Sequence, residues 1–351
     1  MGFGCPSKMF LLIGGADKLG QTLILTNGDC AASLLTEAGI DGRVEPWRDS
    51  LHEGPLYPLQ SLEDFTRFQQ GRSAYWAARG VDDIAPLQAT YQQRDDLIAH
   101  HATYDRIELW FEHDLYDQLQ LIEILTRLYQ LKRFEGVHLV QAETYLGMQQ
   151  ADQILNLNAL RLDVDERMMA IADLAWQTVA HTSPTKMAEF VPLKPAGFPF
   201  LTLALKRFLE ELPGPDGLSR TERQMIYSLN RGVTRAGLLF GRCQAMEAAQ
   251  FWGDLGFFTV LSDLQFCAAP LLTGLPQAFE IALFQDGEAR KGFLQAELAL
   301  TELGGAVLAG AEDFCAHIGI DRFVGGTHVT QASLWRWDWE RGALLSPQPV
   351  H

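Results

Sequence analysis

The sequence predicts an α/β fold: a Rossmann-like domain on a mostly parallel sheet, followed by a helical, winged-helix-like domain. Three observations carry this. Short apolar runs alternate with helical patterns through the first 150 residues, the mark of parallel strands joined by crossover helices. Three of those runs end in polar segments, Thr26-Asn27-Gly28-Asp29, Trp47 to Pro55, and Trp110-Phe111-Glu112-His113-Asp114. Beyond Pro213 the alternation gives way to helices followed by short hairpin-like runs.

Taken in order, Thr22 to Thr26 is an apolar strand, and Asn27-Gly28-Asp29 is a turn opening a helix that carries Ala31, Leu34, Leu35 and Ala38 and stops at Gly39. Gly42 to Pro46 reads as a second strand whose pairing Pro46 limits. Helices are expected over Leu62 to Arg79 and Pro86 to His101, then a strand from Arg106 to Phe111. A long helix starts at His113 or Asp114, and Val137 to Val140 is a further strand. The first domain is expected over 21–150, a helical connecting region over 151–212, and the winged-helix-like domain over 213–351. Residues 1–20 read as a leader outside the fold. Expected helices in the second half are Asp163 to His181, Pro199 to Leu212, a short one behind the capping box Ser219-Arg220-Thr221-Glu222, Glu247 to Leu264, and Leu298 to Leu308. Pro213-Gly214-Pro215-Asp216-Gly217 reads as the clearest linker. Trp335 to Trp339 alternates at strand period.

Composition narrows the function classes. The 351 residues are 47 % hydrophobic and 21 % charged, which suits a globular protein and not a disordered one. A net charge of −16 repels phosphate backbones and anionic membranes, so nucleic acid would need a local basic patch. In the expected winged helix, Arg220, Arg223, Arg231, Arg235 and Arg242 balance Asp216, Glu222, Glu247, Asp254 and Asp263, which disfavours a DNA partner. Five scattered cysteines without C-x-x-C exclude a disulfide framework and a zinc ribbon. No apolar run approaches the roughly 18 residues of a membrane span, and a cytoplasmic location is expected.

The polar segments after the strands carry the candidate site. In open α/β sheets, side chains past the carboxyl ends of the strands converge on one crevice. Candidate ligand-binding residues are Asn27, Gly28, Asp29, Arg48, Glu53 and Asp114, with Arg48 suited to an anionic group. Candidate catalytic residues are His52, His113, Glu112 and Asp49, the histidines being the side chains able to move a proton near neutral pH. Asp29 and Asp114 could equally be helix N-caps, and Glu112 could be a buried partner for Arg48. No G-x-G-x-x-G or P-loop is present, and the histidine spacing is that of no common metal motif, so a metal-free site is expected and no cofactor is specified.

At these residues the chain resembles an uncharacterised bacterial family, a domain of unknown function. The resemblance rests on Thr26-Asn27-Gly28-Asp29, Pro46-Trp47-Arg48-Asp49, Leu51 to Pro55 and Trp110 to Leu119, and in the second half on Gly217 to Arg223 and Gly319 to His328. It covers the chain from about Leu23 onward and implies no activity. The expected function is binding of a small anionic or nucleotide-like ligand with acid–base catalysis possible at the same residues. The alternative is a ligand-responsive transcriptional regulator that uses the winged helix.

Overall fold

A computed structural model describes residues 21–347; the leader expected over 1–20 lies outside the described residues. Strands β1 (Thr22–Thr26), β2 (Arg43–Pro46), β3 (Arg106–Glu112), β4 (Val137–Ala142) and β5 (Leu162–Asp163) form one sheet in the order β2-β1-β3-β4-β5. The first four run parallel and β5 pairs antiparallel with β4. In register, Thr26 lies opposite both Pro46 and Trp110. The polar segments that follow β1, β2 and β3 therefore leave the sheet on one edge.

Strands β1 and β3 are buried on both faces, and the side chains of the sheet alternate between two cores. Ile24, Trp110 and Val140 pack on one face with Ala31 and Leu35 of α1 (Asp29–Glu37). Leu23, Leu25, Leu109 and Leu139 point the other way, toward α2 (Leu62–Ala78), α3 (Ile84–Ala99) and α4 (Leu115–Gln130). On the first face, Ile154 of α5 (Ala151–Asn158) completes the packing. Helix α4 is buried on almost every side, because α6 (Glu166–Val179) and α8 (Leu201–Leu209) cover the face that the sheet does not, with α7 (Thr185–Phe190) beside them. The α/β unit thus runs past the expected limit of 150: β5 extends its sheet and α6 and α8 close its core.

A second core gathers Leu218, Met225, Leu239, Phe257, Phe258, Phe293 and Phe314. It is built from α9 (Arg220–Asn230), α10 (Ala236–Gln244) and α11 (Asp254–Phe266), then the short pair β6 (Leu272–Thr273) and β7 (Ala299–Leu300) with α12 (Gly287–Gln295) between them, then α13 (Glu302–Leu308) and α14 (Phe314–Ile318). The capping box forms as read: Ser219 Oγ accepts from the Glu222 backbone and Glu222 Oε2 accepts from the Ser219 backbone at 2.6 Å. Ile281 to Gln285 is a 3-10 turn, and α11 begins at Asp254, not Glu247, because Gly253 caps it.

Two further hairpins follow, β8 (Asp321–Val324) with β9 (Thr327–Thr330) and β10 (Arg336–Asp338) with β11 (Ala343–Leu345). They return to the first core, to which Val324, Val329 and Trp337 belong. At the β8–β9 turn the backbone of Gly326 donates to Val179 at the end of α6, and a Cβ on Gly326 would stand 2.0 Å from the Ala180 carbonyl. Only glycine allows that approach. The same return explains why Pro213 to Gly217 is not a free linker. Gly214 sits under the Trp339 ring, Trp337 donates to the Pro213 carbonyl, and Pro213, Gly214, Asp216 and Gly217 are buried.

Candidate functional site

Past the ends of β1, β2 and β3 lies a cavity of about 680 Å³, closed on its far side by residues 250–256 from the second unit. Its floor is acidic. Glu112 ends β3, Asp114 is the N-cap of α4, and Asp117 stands one turn into that helix. Residues i and i+3 share a helix face, so Asp114 and Asp117 converge, while Glu112, two residues before Asp114, points to the same side. One carboxylate oxygen from each of the three lies within 4.8 Å of the others, and all three residues are buried.

Burial and mutual repulsion raise all three proton affinities. Glu112 is pushed up to about 7 by burial, although the Leu146 N–H, 2.6 Å from Oε1, favours its ionised form. Asp114 rises to about 8 through burial and the Glu112 charge, and Asp117 rises well above the usual range for the same reasons. Asn27 holds the group from β1, donating to Asp117 Oδ2 at 2.8 Å, and the Glu112 backbone donates to Asp117 Oδ1 at 2.7 Å. Tyr116 and Tyr145, their phenols held protonated by burial, line the same cavity, as do Trp76, Phe251 and Trp252. Such a site can donate or accept a proton near neutrality. Its three oxygen donors also match what a hard divalent cation takes, once their protons leave.

The loop after β2 is fixed from beneath by buried charges. Asp49 accepts from Arg72 Nη2 at 2.5 Å and from Nε at 3.2 Å, while Arg94 lies 3.5 Å away. Burial alone would raise the Asp49 carboxyl, but Arg72 and Arg94 hold it below its usual range. The chain of pairs continues from Arg94 to Glu123, to Arg127 and to Asp95. Trp47 Nε1 donates to Glu123, and the Arg94 guanidinium lies 4.4 Å over the Trp47 ring. Asp49 therefore anchors its loop on α2 and α3, and an acid so paired is poorly placed to exchange protons.

The other expected site residues separate into groups. Asn27, Arg48, Glu53, Glu112 and Asp114 line the cavity with Asp49. Gly28 is the extended N-cap of α1 and supplies no side-chain cap. Asp29, in the first turn, is exposed and paired with Arg48, whose Nε donates to both its oxygens at 3.1 Å. Arg48 thus pairs with Asp29 and not with Glu112.

The two histidines stand apart from the carboxyl cluster. Neither lines the cavity that holds the carboxyl groups. His52 is buried among the rings of Tyr116, Phe251 and Trp252, and burial, with Arg72 and Arg207 nearby, lowers its pKa to about 3. It is neutral at physiological pH and accepts no proton there. His113 lies between Glu112 and Asp114 in sequence but does not line the cavity with them. It packs on Tyr145 and Phe200, and burial lowers its pKa too.

Asp117 escaped the sequence reading, although its i+3 spacing from Asp114 was a usable signal. Arg72, Arg94 and Glu123 also escaped it, as did the aromatic wall Phe251-Trp252, which no local pattern ties to the sheet. No protein-family model matches the chain, and no curated protein is significantly similar to it.

Proposed function

We propose that the chain binds a small nucleotide-like ligand in the cavity at the carboxyl ends of β1, β2 and β3, and that the carboxyl groups there serve acid–base catalysis. The observation that carries this reading is the convergence of Glu112 and Asp114, with proton affinities near neutrality, and of Asp117, raised well above its usual range, on one cavity at the sheet edge where Rossmann-like folds bind ligands. The carboxyl groups and tyrosines suit a hydroxyl-rich moiety, and Trp76 and Trp252 offer faces to a planar ring. In the cavity wall, Arg48 suits an anionic group. The Arg48–Asp29 pair is exposed, so an incoming phosphate can displace Asp29 at little cost.

Titration calorimetry with adenosine, AMP, ADP and ATP, each with and without magnesium, tests the reading. At least one should bind, and Asp114→Asn should weaken it by roughly tenfold or more, the order of one lost charge-assisted hydrogen bond. No heat and no thermal stabilisation with any of the four would end the nucleotide reading.

The regulator alternative keeps one supporting observation. A bridge between Arg235 and Glu297 places a short extended segment between α9 and α10, as a winged helix requires. Against it, α11, third in the helical series where a recognition helix would stand, carries Asp254 and Asp263 and no basic residue. Its Thr259 and Val260 face the clefts shared with the α/β unit, so it is not free to enter a groove.

A further inference from the structure

A second cavity, of about 920 Å³, adjoins the first, and Glu53, Arg79 and Trp252 line both. Its walls come from the loop after β2, from α2 and its end, from α11 and from β8. Three ionisable side chains face it without an oppositely charged partner, although burial pushes the Glu53 carboxyl up to about 7. Arg79 and Asp263 have no ion-pair partner within 4 Å among the described residues; the Arg79 guanidinium is held only over the Tyr75 ring, at 5.3 Å. The Glu53 carboxyl has no hydrogen-bond partner among the described residues, the His52 Nε2 at 3.8 Å being too far. All three line this one cavity.

A second, independent observation lies in the same wall. The His52 side chain is 2 % exposed, and neither ring nitrogen has a hydrogen-bond partner. A buried polar group left unsatisfied is costly, and in a cavity wall it marks a place where a ligand group or water completes the bonding. By contrast, Arg322 across the cavity is already engaged, 3.1 Å from Glu222.

We propose that this second cavity binds a small zwitterion of the amino-acid class, its carboxylate on Arg79 and its ammonium between Glu53 and Asp263. A guanidinium fork matches a carboxylate, and an ammonium has three donors that two carboxylates and a neutral imidazole can accept. A dicarboxylate would meet Glu53 and Asp263, and a diamine would meet Arg79, so single-sign ligands are repelled at one end. Leu264, Phe266 and Ile320 give the ligand's side chain an apolar wall.

The test is thermal shift followed by titration calorimetry of the full chain with the twenty free L-amino acids at millimolar concentration. For each amino acid that binds, its amide and its des-amino acid follow. The zwitterion should bind, and both analogues should bind at least tenfold more weakly. Arg79→Gln and Asp263→Asn, both at exposed positions, should each weaken binding by roughly 10- to 100-fold, the range for one lost hydrogen bond to a charged group. Asp114→Asn should leave this affinity unchanged, which separates failure here from failure of the nucleotide reading. Binding by none of the twenty, equal binding of either analogue, or unaltered binding by Arg79→Gln would overturn the proposal.

Discussion

Replacing Asp114 by asparagine should change how stability depends on pH, and the sign follows from the carboxyl cluster. The Asp114 carboxyl rises from 3.8 to about 8 on folding, first through burial and then through the Glu112 charge. An acid whose folded pKa is raised contributes stability that is present in acid and is lost as pH climbs toward that pKa. A tenfold change in proton affinity is worth about 1.4 kcal/mol, so between pH 5 and pH 9 the loss from Asp114 is on the order of 4 kcal/mol. Asparagine keeps the N-cap, which accepts from the Asp117 backbone at 3.1 Å, because Asn and Asp cap equally well, and it removes the charge. His52, lowered to about 3, acts in the opposite sense, with stability lost as pH falls below the unfolded histidine value, but it is common to both proteins and cancels in the difference. Guanidinium unfolding followed by tryptophan fluorescence at several pH values measures both curves. The wild type should fall more steeply than the variant above pH 5. Parallel curves would refute the reasoning, since they would mean that the carboxyl groups ionise in the fold as freely as in the unfolded chain.

Arg72→Met should leave Asp49 buried without its closest partner and cost about 3–5 kcal/mol in chemical denaturation, with part recovered on adding Asp49→Asn; a loss below about 1 kcal/mol would show that Arg94 alone suffices. In a gel-shift assay at low salt the chain should not retard duplex DNA, because α11 is acidic and faces the α/β unit. Retardation that weakens steeply with salt would restore the regulator reading.

What the sequence made legible follows from burial. β1, β3 and β4 lie in a parallel sheet covered on both faces, so they read as continuous apolar runs, and the polar segments after them stand out by contrast. Glu112, Asp114, Arg48 and Asn27 were found that way. Charges on helices gave the opposite impression. Arg72, Arg94, Glu123 and Arg127 look like a solvated face in one dimension and become a buried chain of ion pairs only when α2, α3 and α4 pack together. The surroundings of His52 were hidden for a related reason: the rings that bury it include Phe251 and Trp252, some two hundred residues away. Pro213 to Gly217 carried every mark of a loose joint, and only the returning Trp337 and Trp339 fix it.

That return of β8 to β11 sets an order of events during synthesis. The sheet and its helices leave the ribosome long before Val324, Val329 and Trp337 do, yet these residues belong to the same core. A nascent chain halted before Asp321 would hold a sheet with part of its apolar covering missing, and domains that emerge unfinished expose surface that aggregates or recruits chaperones. Cutting the chain after α14 should therefore damage a ligand cavity lined by residues between Asn27 and Ile281, although no described residue removed by the cut lines that cavity.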